Sequence, residues 1–244
     1  MSKPPRFFIT PDQVRDPSIT VVDDDVRHIR TVLRKQPGDL LTLLDGQGRE
    51  YTVRITAIEK EAIETEIVDR RERHPLVPSV ILGQGLPKSD KMDFIVQKAT
   101  ELGVLSIVPI MTERTIVKVK DEEKRITRWQ KIAREAAMQS NRPDIPKVEM
   151  IRPFGEFIHS LAPGPQTLLL LPWEEGTEPI KNVLRRHSET NHIVVLIGPE
   201  GGFSQAEADA ARGMGFHLVS LGQNILRTET AAVAVLSIIG YEFR

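Results

Sequence analysis

The residues able to do chemistry gather in two loops near the carboxyl end of the chain. The first is Gly198-Pro199-Glu200-Gly201-Gly202, which breaks the apolar run His192 to Ile197. Its glycines allow positive φ and a close approach of backbone to a ligand. Ser204 with Glu207 three residues on forms a capping box, so a helix starts there with its amides toward the loop. Phosphate is the default guest of such a helix start. But this loop lacks the Lys-Ser/Thr of a Walker A and the G-x-G-x-x-G spacing. It carries Glu200, which repels polyphosphate. A ligand with adenosine and a cationic end, such as S-adenosylmethionine, suits it better than ATP or NAD. A plain strand-to-helix turn accounts for the same glycines.

The second loop, Gly222 to Thr230, follows the short apolar run His217 to Leu221. Leu221, Ile225 and Leu226 suit an adenine wall, and backbone around Gly222 suits the edge of the ring. Thr228 or Thr230 is placed to cap the next helix. Arg227 lies at a helix start, where the dipole disfavours a cation. Glu229, in the first turn of the same helix, and Glu200 are the candidates to compensate it. A pair with Glu200 would tie the two loops together, against the plainer reading of a solvent-facing Arg. Both loops end strands, which is where open α/β sheets bind ligands.

The pair GPEGG-F-S and LG-x-x-I-L-R-T-E-T-A closely resembles the signature of the ribosomal RNA small-subunit methyltransferase E family, of the SPOUT superfamily. The resemblance covers nearly the whole chain. It implies an α/β fold: a SPOUT-type parallel-sheet domain knotted as a trefoil, preceded by a small PUA-like β-barrel. It implies methyl transfer from S-adenosylmethionine to N3 of a uridine in 16S ribosomal RNA, in the small subunit, by a homodimer. The absence of cysteine and of a signal-type apolar core makes a cytoplasmic protein the simplest reading. The expected cofactor residues are Leu171, Pro172, Gly198, Pro199, Glu200, Gly202, Leu221, Gly222, Ile225, Leu226, Arg227, Thr230 and Ala231. Uracil N3 must lose its proton to attack, so the site needs a base or a cation that stabilises the uracil anion. Arg114, Arg142 and Lys98 are the candidates for that cation, and no residue stands out as a base. Lys98 with Glu101 also reads as a local ion pair. Asn141 stands where the family more often has glycine, and Asn tolerates the same left-handed cap.

The elements that must position these residues follow from pattern. The chain has 244 residues, 40% hydrophobic and 27% charged, with formal net charge −1. That excludes a wholly basic nucleic-acid glue, and no apolar run nears the ~20 residues of a membrane span. There is no cysteine, so no disulfide, thiol nucleophile or thiolate metal site. The six histidines lack metal-ligand spacing, and no metal is expected. Two stretches are locally basic. Glu113 to Arg142 holds nine Lys/Arg against five Asp/Glu, and Val26 to Gln36 holds four with no acid. Arg6, Arg27, Arg30, Arg34 and Lys35 are the RNA-contact candidates, against the plainer reading of solvated helix faces.

Residues 1–73 are expected to form the barrel and residues 74–244 the methyltransferase domain. The first part reads as strands at Arg6 to Ile9, Leu40 to Leu44, Tyr51 to Ile58 and Ala62 to Val68. A helix with the apolar face Val26, Ile29, Val32 and Leu33 precedes the last three, with His28 packed. Arg70 to Pro78 reads as the link. Alternating strands and helices then argue a parallel sheet. Two other classes fit less of the pattern. One is a non-catalytic RNA-binding assembly factor holding an adenosine-type ligand. The other is a dinucleotide oxidoreductase, which the glycine spacing opposes.

Overall fold

The computed structural model describes residues 4–72, 76–117 and 121–243. The chain divides into two compact units: Met1–Pro75 with Ala137–Ile145, and Leu76–Ala136 with Pro146–Arg244. The first unit thus takes in a return segment, 137–145, that a division at residue 73 leaves out.

The first unit is a six-stranded sheet. Its strands are β1 (Arg6–Phe8), β2 (Val14–Arg15), β3 (Ser18–Val22), β4 (Leu40–Leu44), β5 (Arg49–Ile58) and β6 (Ala62–Glu72), in the order β1-β4-β5-β6-β3-β2. Only β1 and β4 pair in parallel. Alternation sends Ile19, Val21, Val53, Ile55 and Ile63 to one core with Phe7, Leu41 and Leu43. Ala137 of the return segment is buried with Phe8 and Leu44.

Three expectations for this unit are corrected. The helix α1 (Asp24–Arg27) continues as a π-helical turn over His28–Val32, in which Leu33 N–H bonds His28 O at 3.0 Å. That wider turn shifts the phase, so Val26 and Ile29 are buried while Val32 is 68% and Leu33 36% exposed. His28 is exposed as well, edge-on to Phe7 with ring centroids 5.7 Å apart. And β6 runs on to Glu72 through the expected start of the link, because its ladder with β5 continues to Arg49↔Glu72. The part of the link at residues 73–75 lies outside the described residues.

The second unit holds β7 (Ser79–Gly85), α2 (Lys91–Glu101), β8 (Ser106–Met111), most of α3 (Glu122–Gln139), β9 (Lys147–Val148), β10 (Arg152–Pro153), α4 (Phe154–Ser160), β11 (Thr167–Pro172), β12 (Glu178–Pro179), α5 (Ile180–Arg186), β13 (His192–Ile197), α6 (Gln205–Gly213), β14 (His217–Ser220) and α7 (Thr228–Phe243). The sheet order is β10-β8-β7-β13-β11-β14-β12, with β9 on β8, and every ladder is parallel. Central strands such as β13, which is apolar and buried after its first residue, His192, read as expected when helices cover both faces. The last strand, β14, lies two places from β13, yet α7 returns to pack on α2.

Candidate functional site

A cavity of about 370 Å³ opens at the carboxyl edge of three adjacent strands, β13, β11 and β14. That volume lies within the range of small-molecule sites. Gly198, Pro199, Glu200 and Gly202 line one side. Leu221, Gly222, Ile225, Leu226, Arg227 and Ala231 line the other, and Pro172 closes the floor. So both loops singled out by sequence meet in one site. Two expected residues stay out of it: Leu171 is fully buried within β11, and Thr230 is exposed on α7 beyond the lining.

The glycine loop is a tight turn, with Gly202 N–H bonded to Pro199 O at 2.9 Å. Gly202 has φ +67°, a left-handed backbone that a β-branched residue strongly disfavours. A Cβ on Gly85, at the end of β7, would lie 2.5 Å from the Pro199 ring, so the loop is laid flat on β7. The Thr228 hydroxyl donates to Gly198 O at 2.6 Å and accepts from Gln84 Nε2 at 2.9 Å. Expected as a helix cap, it is instead a buried cross-tie between β7, the glycine loop and the start of α7.

The charges are arranged differently from the expected Arg227–Glu200 pair. Glu200 accepts the Lys88 N–H on both oxygens, at 3.1 and 3.2 Å, and pairs with Lys91 Nζ at 2.9 Å. Lys91 also reaches Glu229 at 3.4 Å. The anion thus turns to the start of α2, where helix polarity favours it. Burial alone would raise the Glu200 carboxyl, but the Lys91 and backbone bonds outweigh it and hold it below the usual range. Its bond to Glu200 raises Lys91 in turn. Among the described residues no carboxylate pairs with Arg227. Of the charged groups lining the cavity, Glu174 and Glu200 balance Lys91 and Arg227. An apolar wall, a glycine cradle and the Glu174 carboxylate fit an adenosine carrying a cationic end.

Lys91, Trp173, Glu174 and Phe203 line the cavity but were not expected there. Trp173 and Glu174 follow β11, whose place beside β13 and β14 no local pattern reveals. Lys91 opens α2, 109 residues before the Glu200 it binds.

The three candidate cations have different partners. Arg114, in the turn after β8, donates from Nη1 to Gly201 O at 2.8 Å, so its head rests on the glycine loop. Lys98 lies about 10 Å along α2 from Lys91 and pairs with Glu101 at 2.8 Å. Arg142 belongs to the first unit, where it is buried and pairs with Asp144. It follows Asn141, whose φ of +58° supplies the left-handed cap. Of the RNA candidates, Arg27, Arg30 and Arg34 are exposed. Lys35 lies 3.8 Å from Asp39, and Arg6 is largely covered and bonded to Glu50 at 3.1 Å.

Comparison with known proteins agrees across the chain. Residues 73–240 match an RNA methyltransferase domain model, and residues 23–68 an RNA methyltransferase PUA domain model. The chain is 30% identical over 248 residues to ribosomal RNA small subunit methyltransferase E of Bacillus subtilis, covering 97% of this chain and 96% of that one. It is 34% identical to the Synechocystis protein of the same name, covering 95% and 76%. The crystal structure of the Neisseria gonorrhoeae protein of that name, bound to S-adenosyl methionine, superposes with a TM-score of 0.86 at 33% identity, covering 98% of each chain.

Proposed function

The chain belongs to the ribosomal RNA small subunit methyltransferase E family, and we propose that it transfers a methyl group from S-adenosylmethionine to N3 of a uridine in 16S ribosomal RNA. Its α/β parallel-sheet domain after a small PUA-like domain is supported by the family models and the solved relative, and the sheet domain is proposed to be of the knotted SPOUT type. The observation that carries the reading is the cavity where both signature loops meet at the carboxyl edge of the parallel sheet.

S-adenosylmethionine supplies an electrophilic methyl, so the protein need only hold it and present the nucleophile. Leu221 and Leu226 flank the adenine, and the glycine loop gives backbone close to the ligand. Glu174 and the Glu200 group offer negative charge to its cationic end. Arg114 is the cation proposed to draw charge onto the uracil oxygens as N3 gives its proton to solvent water. Arg27, Arg30 and Arg34 are proposed to hold RNA phosphate. The working unit is proposed to be a homodimer acting on the small ribosomal subunit in the cytoplasm. Among the described residues no helix is long and apolar enough to cross a membrane.

The test is transfer of labelled methyl to deproteinised 16S ribosomal RNA and to assembled small subunits, followed by mapping of the modified base. A 3-methyluridine is expected, and the two rates show which form of the RNA is the substrate. Cofactor binding without transfer to either substrate would favour a non-catalytic assembly factor.

A further inference from the structure

We propose that Glu207 is a positioning residue that locks the turn carrying Arg114 to the glycine loop; this rests on the role given to Arg114 above. Glu207 sits in the first turn of α6 and is only 9% exposed. A buried carboxylate is costly unless its oxygens are bonded. Here each oxygen takes a backbone N–H from a different segment. Oε2 accepts from Ser204 at 2.9 Å, and Oε1 accepts from Glu113 at 2.8 Å.

The Ser204 bond belongs to the capping box, with Glu207 N–H returning to Ser204 Oγ at 3.2 Å. The Glu113 bond has no part in the cap. It spans 94 positions of sequence to the turn after β8. That turn is closed on itself: Thr115 Oγ1 accepts the Thr112 N–H at 3.0 Å, and Thr115 N–H bonds Thr112 O at 3.1 Å. It therefore moves as one piece, and Glu207 decides where.

Arg114 is the next residue. Glu207 fixes its backbone through Glu113, and Gly201 O fixes its head at 2.8 Å. The fit is close, since a Cβ on Gly201 would lie 3.1 Å from Arg114 Cβ. Among the described residues no carboxylate neutralises Arg114, so its charge is held in place without being cancelled. Only a carboxylate can do this. Glutamine has the same shape but one acceptor, so its amide nitrogen would face a backbone N–H, donor against donor. Either the cap or the turn must then give way.

The experiment compares Glu207→Gln, Arg114→Ala and the double variant in the full chain. Cofactor affinity is read by calorimetry and methyl transfer to RNA by single-turnover kinetics. Glu207→Gln is expected to slow transfer about 10- to 100-fold, the scale of a misplaced catalytic group, with cofactor Kd changed less than about threefold, within the scatter of a single non-contact substitution. The double variant should be no slower than Arg114→Ala alone, because both remove the same positioned charge. Ser204→Ala, which weakens only the cap, should lower the thermal midpoint without that loss of rate. Full activity in Glu207→Gln, or a loss that multiplies with that of Arg114→Ala, overturns the positioning role. Full activity in Arg114→Ala overturns instead the role of Arg114 on which it rests. If Glu207→Gln does not fold, Thr115→Val opens the same turn from its other end. It should reproduce the slow transfer, and unchanged transfer would sink the proposal.

Discussion

Lys91 holds two carboxylates at once, Glu200 of the glycine loop and Glu229 of α7. Removing it as Lys91→Met should cost about 0.5–1 kcal/mol, since all three groups are partly solvated. The pH window follows from the two shifts. Glu200 is held below its ordinary value, so its share is present above the unfolded carboxylate pKa, about 4.3, and is lost as pH falls through the lower folded value. Lys91 is raised, so its share is complete below the unfolded lysine value, about 10.4, and is lost as pH rises through the higher folded value. The gap in thermal midpoint between wild type and Lys91→Met should be flat from about pH 5 to 10 and close outside that window. A gap that persists unchanged near pH 3 would mean Lys91 acts through packing. Sequence named Glu200 and Arg227 as ion-pair partners because their loops are consecutive strand ends. It could not show that the start of α2 lies against the same loop. The local capping box at Ser204 and Glu207, by contrast, was legible because its bonds span three residues.

At the scale of elements, legibility tracks how local the cause is. The strand β3 has a period-two pattern, Ser18-Ile19-Thr20-Val21-Val22, with alternate burial; the pattern was present and passed over. The π-helical turn after α1 is different. Its residues fit a 3.6-residue period as written, and only packing of Ile29 against the sheet turns Val32 and Leu33 outward. The same turn leaves Arg27, Arg30 and Arg34 on the surface, with Arg34 at φ +51°. Replacing Arg30 and Arg34 together by Ala should therefore weaken RNA binding and flatten its salt dependence by about 0.7–0.9 in slope per lost phosphate contact. Cofactor affinity should not change, because the cavity is built from the other unit alone. Filter binding across salt concentrations checks it, and an unaltered slope would leave these arginines as solvated side chains.

At the scale of the molecule, strand order was the hidden quantity. The sequence showed strand, loop and helix repeating near its end. It did not show that β7 and β11 flank β13, nor that the segment 137–145 is claimed by the first unit. The placement of β7 and of segment 137–145 depends on contacts across about a hundred residues, and nothing in the sequence pointed to the packing of α7 on α2. That helix carries the last prediction. Its buried stripe is Ala232, Val235, Leu236 and Ile239. A second stripe, Ala231, Ala234, Ile238 and Tyr241, runs beside it at helical spacing, half-buried until Tyr241, which is 86% exposed. In the proposed homodimer this half-buried stripe is the part of α7 left to offer a second copy, beyond its packing on α2, α5 and β13. It is suited to the same stripe on another copy across a two-fold axis. Sedimentation at micromolar concentration should give a dimer, and Ile238→Glu should give a folded monomer, because two carboxylates would meet at the axis. Ala231 also lines the cavity, so the partner copy would approach the cofactor site. The monomeric variant is therefore expected to lose methyl transfer more than stability. A wild-type chain that sediments as a monomer at tens of micromolar would sink the dimer, and a monomeric Ile238→Glu with full transfer would leave each copy complete by itself.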